Sequence, residues 1–72
     1  MVTLSARSPA VGKCLGDLEL RANTGASAVG IERDGRAIIN PGAGQDLRVG
    51  DQVLLLGNPE QLEAARGYLT GQ

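Results

Sequence analysis

The sequence has no histidine, phenylalanine or tryptophan, one cysteine and one tyrosine. Without histidine a general base would have to be a carboxylate, and a serine or cysteine nucleophile lacks its customary partner, so an enzyme is not expected. A lone cysteine cannot build a disulfide framework and fits a reducing compartment. With no histidine beside it, a metal centre is not expected either, and no cofactor is implied. No apolar run approaches the ~20 residues of a membrane span, and the N-terminus lacks a signal-peptide pattern, so a cytoplasmic module is expected. Seven basic residues face eight acidic ones for a formal charge of -1. That balance gives no electrostatic footprint for DNA or RNA, and no nucleic-acid polymer is expected as a partner.

What remains is a single domain of 72 residues with a thin apolar inventory, 42% hydrophobic by composition. A chain of this size buries only about 60% of the surface it exposes when unfolded. Small domains compensate with disulfides, metals or oligomerisation, and the first two are excluded above. Self-association, or attachment to a longer chain, is the remaining route.

The chain is organised around two short apolar runs, Ala37-Ile38-Ile39 and Val53-Leu54-Leu55-Leu56, bounded by turn residues and read as strands. Val53 to Leu56 are apolar on both sides, so a strand covered on both faces is expected, one cover being a helix. Near the start, Val2, Leu4 and Ala6 alternate with Thr3, Ser5 and Arg7, the period of a half-buried strand that ends at Ser8-Pro9. In CLGDLELRANTG, Leu15 and Leu18 share a helical face while Gly16 weakens the helix, which predicts one or two short turns closed by Gly25. Ala26 to Arg33 alternates again, placing Ser27, Val29, Ile31 and Arg33 on one side. Asp34-Gly35 then predicts a type I′ hairpin pairing Ile31 with Ile38 and Arg33 with Arg36. The two arginines lie either at an exposed tip or where an anion or acidic partner sits.

Pro41 stops the ladder or marks an edge. The loop from Gly42 to Asp46 lacks the spacing of a phosphate loop or dinucleotide motif, and Asp46 and Asp51 do not make a calcium loop; Asp51 reads as a turn cap. Leu47 is expected beneath the sheet. The last segment is a helix with clear punctuation: Asn58 as N-cap, Pro59 at the first position, Gln61 completing a capping box, and Leu62, Ala65 and Leu69 as the apolar stripe. Tyr68 borders that stripe, and Gly71 and Gln72 are expected to fray.

Few residues invite a chemical role. Cys14, beside Lys13, reads as a small apolar filler. Arg21 is either a solvated arginine at a helix end or a guanidinium fork facing a phosphate or carboxylate.

Taken in order, Gly12-Lys13-x-Leu15-x-x-Leu18-x-Leu20-Arg21, Gly25, Ala28-Val29-Gly30-Ile31-x-Arg33-Asp34-Gly35, Ile38-Ile39-Asn40-Pro41, Leu47-x-x-Gly50-Asp51 and Leu54-x-x-Gly57-x-x-Glu60-Gln61-Leu62 form a pattern. From Leu4 to Leu69 it resembles the RCK C-terminal domain, also called the TrkA C-terminal domain. The resemblance implies an α/β (α+β) fold of order β-α-β-β-β-α, with a small four-stranded sheet and a C-terminal helix, usually dimeric and not enzymatic. It implies a regulatory domain of a potassium channel or cation transporter, in the same chain or as a separate subunit, at the cytosolic face of the membrane. A sequence that begins near its first strand is expected to be a fragment of a longer chain.

In one branch of that family the ligand is cyclic di-AMP, held across a homodimer interface. By matching motif, its pocket here would comprise Leu15, Gly16, Leu20, Arg21, Ala22, Ala26, Ser27 and Pro41, with Arg21 facing a phosphate. That branch has an asparagine where this chain has Ser27, whose hydroxyl has fewer donors and a shorter reach, so the resemblance implies a small anionic ligand, cyclic di-AMP or similar. The alternative implied is a structural dimerisation module without a ligand.

Overall fold

The computed structural model describes residues 1–71. Its elements run β1 (Val2–Thr3), α1 (Leu15–Leu18), α2 (Leu20–Thr24), β2 (Ser27–Arg33), β3 (Arg36–Ile39), β4 (Gln52–Leu56) and α3 (Pro59–Thr70). All pairings are antiparallel, in the order β1-β4-β2-β3. This is the expected β-α-β-β-β-α order with its first helix broken in two.

The hairpin forms where Asp34 and Gly35 place it. Both residues have positive φ (52° and 77°), as a type I′ turn requires, and Ile31 pairs with Ile38 and Arg33 with Arg36. In α3, Asn58 and Gln61 make the reciprocal capping box, and Ala65 and Leu69 are fully buried. At its far end Gly71 adopts a left-handed cap with its N–H on the Gly67 carbonyl, so it is fixed rather than frayed; Gln72 lies outside the described residues.

One face of the sheet carries the core. Val2, Ile31 and Val53 stand abreast in register and are buried, with Leu4, Leu18, Leu20, Leu47, Ala65 and Leu69 closing over them. The other face has no cover among the described residues. Gly30 pairs with both Ile39 and Leu54, which puts these three on the outer face, and Leu56 follows Leu54 two residues on. Ile39 and Leu56 are 69% and 66% exposed. The expected second cover over β4 is therefore not supplied by the chain itself.

Two expectations need correction. The first strand does not reach Arg7: its ladder stops after Leu4, whose N–H donates to the Asp51 carbonyl, because β4 begins only at Gln52 and leaves Ser5 and Ala6 without a partner strand. The strict alternation of Ser27, Val29, Ile31 and Arg33 also fails. The β2–β4 register shifts between Ala28 and Gly30, so Val29 is a bulge residue that opposes nothing and is exposed, while Ile31 is buried. One extra residue changes the side on which everything before it falls.

Of the two hairpin arginines, Arg36 is exposed, whereas Arg33 has an acidic partner within its own chain. Its Nε and Nη2 donate to the two Asp51 carboxylate oxygens at 2.8 and 2.7 Å, and Nη2 also reaches the Asp46 carbonyl at 2.9 Å. Asp51 is 1% exposed and accepts the Arg48 N–H as well, so it caps the turn as expected and anchors the hairpin besides. The Arg33 hydrogen bonds hold its carboxyl below the ordinary 3.8 against the opposing effect of burial.

Candidate ligand-binding cleft

The break between α1 and α2 shapes the cleft. Cys14 enters α1 in extended geometry, and after one turn Glu19 takes a left-handed conformation (φ 46°, ψ 47°) that ends α1 and starts α2 in a new direction. Gly25 then closes α2 with φ 82°, and a Cβ there would come 2.7 Å from Gln61 Nε2, so only glycine fits. The pieces are tied to α3 from behind. Tyr68 donates its hydroxyl to the Leu18 carbonyl at 2.6 Å, and Asn23 Nδ2 donates to both that carbonyl and the Tyr68 oxygen.

The opposite wall comes from the loop after β3. Asn40, with φ 50°, turns the chain off the strand while its N–H donates to the Val29 carbonyl. The loop then runs antiparallel to residues 12–16, bonded backbone to backbone: Gly16 N–H to Ala43, Leu15 N–H to Gln45, Leu47 N–H to Lys13 and Gly12 N–H to Leu47. At Gly16 a Cβ would lie 3.1 Å from both the Cβ and the carbonyl oxygen of Ala43, so the missing side chain lets the walls meet.

Between these walls and the start of β2 lies an open cavity of about 370 Å³. All eight residues named from the sequence, Leu15, Gly16, Leu20, Arg21, Ala22, Ala26, Ser27 and Pro41, line it. Four more do so that sequence reasoning missed: Glu19, Ala28, Gly42 and Ala43. Ala28 and Gly42 adjoin named positions, and Glu19 sits two residues before Arg21, so adjacency was the available signal; Ala43 depends on how the loop docks. The lining is small and apolar apart from Ser27 and two charges, Glu19 and Arg21. Both charged residues are exposed, and neither has a side-chain hydrogen bond or ion pair among the described residues. Cys14 is half-buried and free at the edge of this region, in a backbone bridge to Asp46. Among the described residues no group of histidine, cysteine, aspartate and glutamate side chains could hold a metal ion.

A volume of this size, mostly apolar with one exposed guanidinium and one exposed carboxylate, suits a small organic molecule rather than an ion alone. The family model for the TrkA-C domain matches residues 1–70. The chain belongs to the TrkA-C family. Among solved structures, this TrkA-C domain is similar to the RCK_C domain dimer of S. agalactiae BusR in complex with c-di-AMP, at 30% identity and a TM-score of 0.86, over 93% of this chain and 83% of that one. It is similar to the RCK C domain of the potassium transport protein KtrA in complex with cyclic diadenosine monophosphate, at 27% identity and a TM-score of 0.81, over 92% and 78%. The GsuK channel matches at 32% identity and a TM-score of 0.71, over 81% of this chain but 11% of that one. No curated protein matches the chain.

The TrkA-C fold expected from the sequence is thus the one observed. The exclusion of nucleic acid does not extend to every protein that carries such a domain. A longer BusR chain, of which this domain spans 33%, is in complex with its busAB-promotor DNA. No helix among the described residues is long and apolar enough to cross a membrane.

Proposed function

We propose that this TrkA-C domain is a ligand-sensing regulatory domain that binds cyclic di-AMP, or a close relative of it, at a homodimer seam and so controls potassium or cation transport. The observation that carries the reading is the cleft itself. Eight residues scattered from Leu15 to Pro41 converge on one open cavity, with Arg21 in no ion pair among the described residues, in a fold whose BusR and KtrA counterparts are in complex with c-di-AMP. Arg21 takes a phosphate, the alanines and leucines face the bases, and Ser27 donates to a sugar or phosphate oxygen.

The seam runs along the bare face of the sheet. Leu56 pairs with Ser27, Ile39 precedes Pro41 by two residues, and both Ser27 and Pro41 line the cleft, so the exposed apolar patch continues into it. Two copies meeting there would bury Ile39, Leu56 and Val29 and supply the cover that β4 lacks. A standard interface of about 800 Å2 per partner, at roughly 25 cal/mol per Å2 of apolar surface, gives a marginal core a substantial gain even after binding costs. An isologous seam presents each cleft residue twice, which suits a two-fold ligand. The ligand then shifts the dimer only by its differential affinity for two arrangements, and the domain passes that shift to a channel or transporter on the cytosolic side, in its own chain or another.

Titrating the purified chain with cyclic di-AMP, ATP and monovalent cations while following the melting temperature tests the reading. A rise of several degrees with the cyclic dinucleotide alone is expected. A flat response to all of them would favour a ligand-free dimerisation module. Leu56→Asp tests the seam separately: both Leu56 and Ile39 are exposed in the single copy, so the fold should survive while sedimentation shifts from dimer to monomer at about 10 μM, since a seam does not tolerate an unpaired buried charge. A wild-type chain that sediments as a monomer overturns the seam.

A further inference from the structure

The cleft lining includes a carboxylate that the proposed ligand should find repulsive. Glu19 lies on the same wall as Arg21 and makes no ion pair with it. Glu19 also occupies a left-handed backbone position, where glycine or asparagine would be the relaxed choice and where the glutamate side chain makes no cap hydrogen bond. The backbone of Glu19 makes the kink between α1 and α2, but its carboxylate makes no cap hydrogen bond and no ion pair among the described residues, although it belongs to the wall of the cleft. Strained residues concentrate where a ligand is held.

Resting on the cyclic dinucleotide reading above, we propose that Glu19 is the specificity residue of this cleft, its carboxylate accepting a hydrogen bond from the exocyclic amine of a purine base while Arg21 holds the phosphate. Adenine carries such an amine as a donor. A ligand that offers the donor turns the Glu19 charge from a repulsion into a charge-assisted hydrogen bond; a ligand without it meets an uncompensated acid beside its own phosphates. Selection then comes from an element that penalises the wrong guest as well as one that rewards the right one. The cleft accordingly admits aminopurine dinucleotides and rejects those whose base lacks the amine.

The test compares cyclic di-AMP with its analogue in which both bases are unsubstituted purine, lacking only the amines, by calorimetric titration of the purified chain. The wild type should bind cyclic di-AMP at least about tenfold more tightly, the discrimination one charge-assisted hydrogen bond supplies. Glu19→Ala should bring the two affinities within about twofold, chiefly by improving the analogue. Glu19→Gly, which relieves the left-handed backbone, should do the same in a chain at least as stable as the wild type, separating the loss of the carboxylate from any loss of fold. A wild-type preference that survives in both variants overturns the role of Glu19 and leaves the ligand reading standing. Binding of neither dinucleotide by the wild type removes both.

Discussion

Asp51→Asn should lower the melting temperature by roughly 15 °C, the largest loss expected from any single polar substitution in the chain. The change removes one charge and almost no volume, so the effect isolates the ion pair. Asp51 is 1% exposed and receives both arms of the Arg33 guanidinium fork together with the Arg48 N–H. Neutralising it leaves Arg33, itself only 17% exposed, with only the longer 3.8 Å contact to the half-exposed Asp46 carboxylate as counter-charge. Breaking a buried pair from one side costs about 3 kcal/mol or more, and a domain of this size moves about 4–8 °C per kcal/mol. Arg33→Met should cost a similar amount from the other side, and the double variant far less than the sum, because the second change removes the charge that the first stranded. Asp46→Asn is the contrast: its half-exposed carboxylate pairs closely with the still more exposed Arg48 and only at 3.8 Å with Arg33, so the melting temperature should move by less than about 2 °C.

The same pair sets an acid limit. Arg33 holds the folded-state carboxyl of Asp51 below its ordinary 3.8. A depressed carboxyl contributes stability that is fully present above the unfolded value and is lost as pH falls through the folded one. Urea midpoints measured from pH 7 downward should hold steady to about pH 4 and then fall, and in Asp51→Asn the fall should be shallower. An unchanged acid slope in that variant would place the titrating group elsewhere.

Arg21→Ala should leave the dimer and its stability intact and weaken cyclic di-AMP by about a hundredfold. Arg21 is exposed, has no side-chain partner and lies within α2, where alanine is at least as good a helix former, so nothing in the fold depends on it. A hydrogen bond from a cation to phosphate is worth about 1.5–3 kcal/mol, at least tenfold in affinity. A two-fold seam offers Arg21 from each copy to each of two phosphates, and two such losses multiply. Calorimetry on Arg21→Ala, with sedimentation on the same sample, reads both quantities. Lost binding with the dimer intact supports a sensor. Unchanged affinity would mean that the phosphates are held by backbone and solvent alone, and Arg21→Lys would then be equally silent; under the proposed contact it should recover part of the affinity, as a point charge lacking the fork.

How much of this was legible in the sequence follows from how local each signal is. Asp34-Gly35 dictates its hairpin because two adjacent positive-φ residues admit one turn, and the register of Ile31 with Ile38 follows at once. Asn58, Pro59 and Gln61 dictate the start of α3, since the cap closes within four residues. Val53 to Leu56, apolar on both sides, already asked for a cover on each face of β4. The cleft residues were reachable by resemblance to the family, with the same eight positions converging on one cavity.

Tertiary structure decided what depends on distant parts of the chain meeting. The bulge at Val29 answers the register that β4 imposes on β2, and no alternation within β2 announces it. Arg33 finds Asp51 eighteen residues away, so the choice between an exposed and a paired arginine, open in the sequence, is made by the fold. Gly42 and Ala43 join the cleft because the loop is stitched to residues 12–16, and Glu19 joins because a left-handed kink redirects the helix there. Turns and caps are settled by a few neighbouring dihedrals and hydrogen bonds, whereas a cleft and an ion pair exist only once closing the core has brought separate segments together.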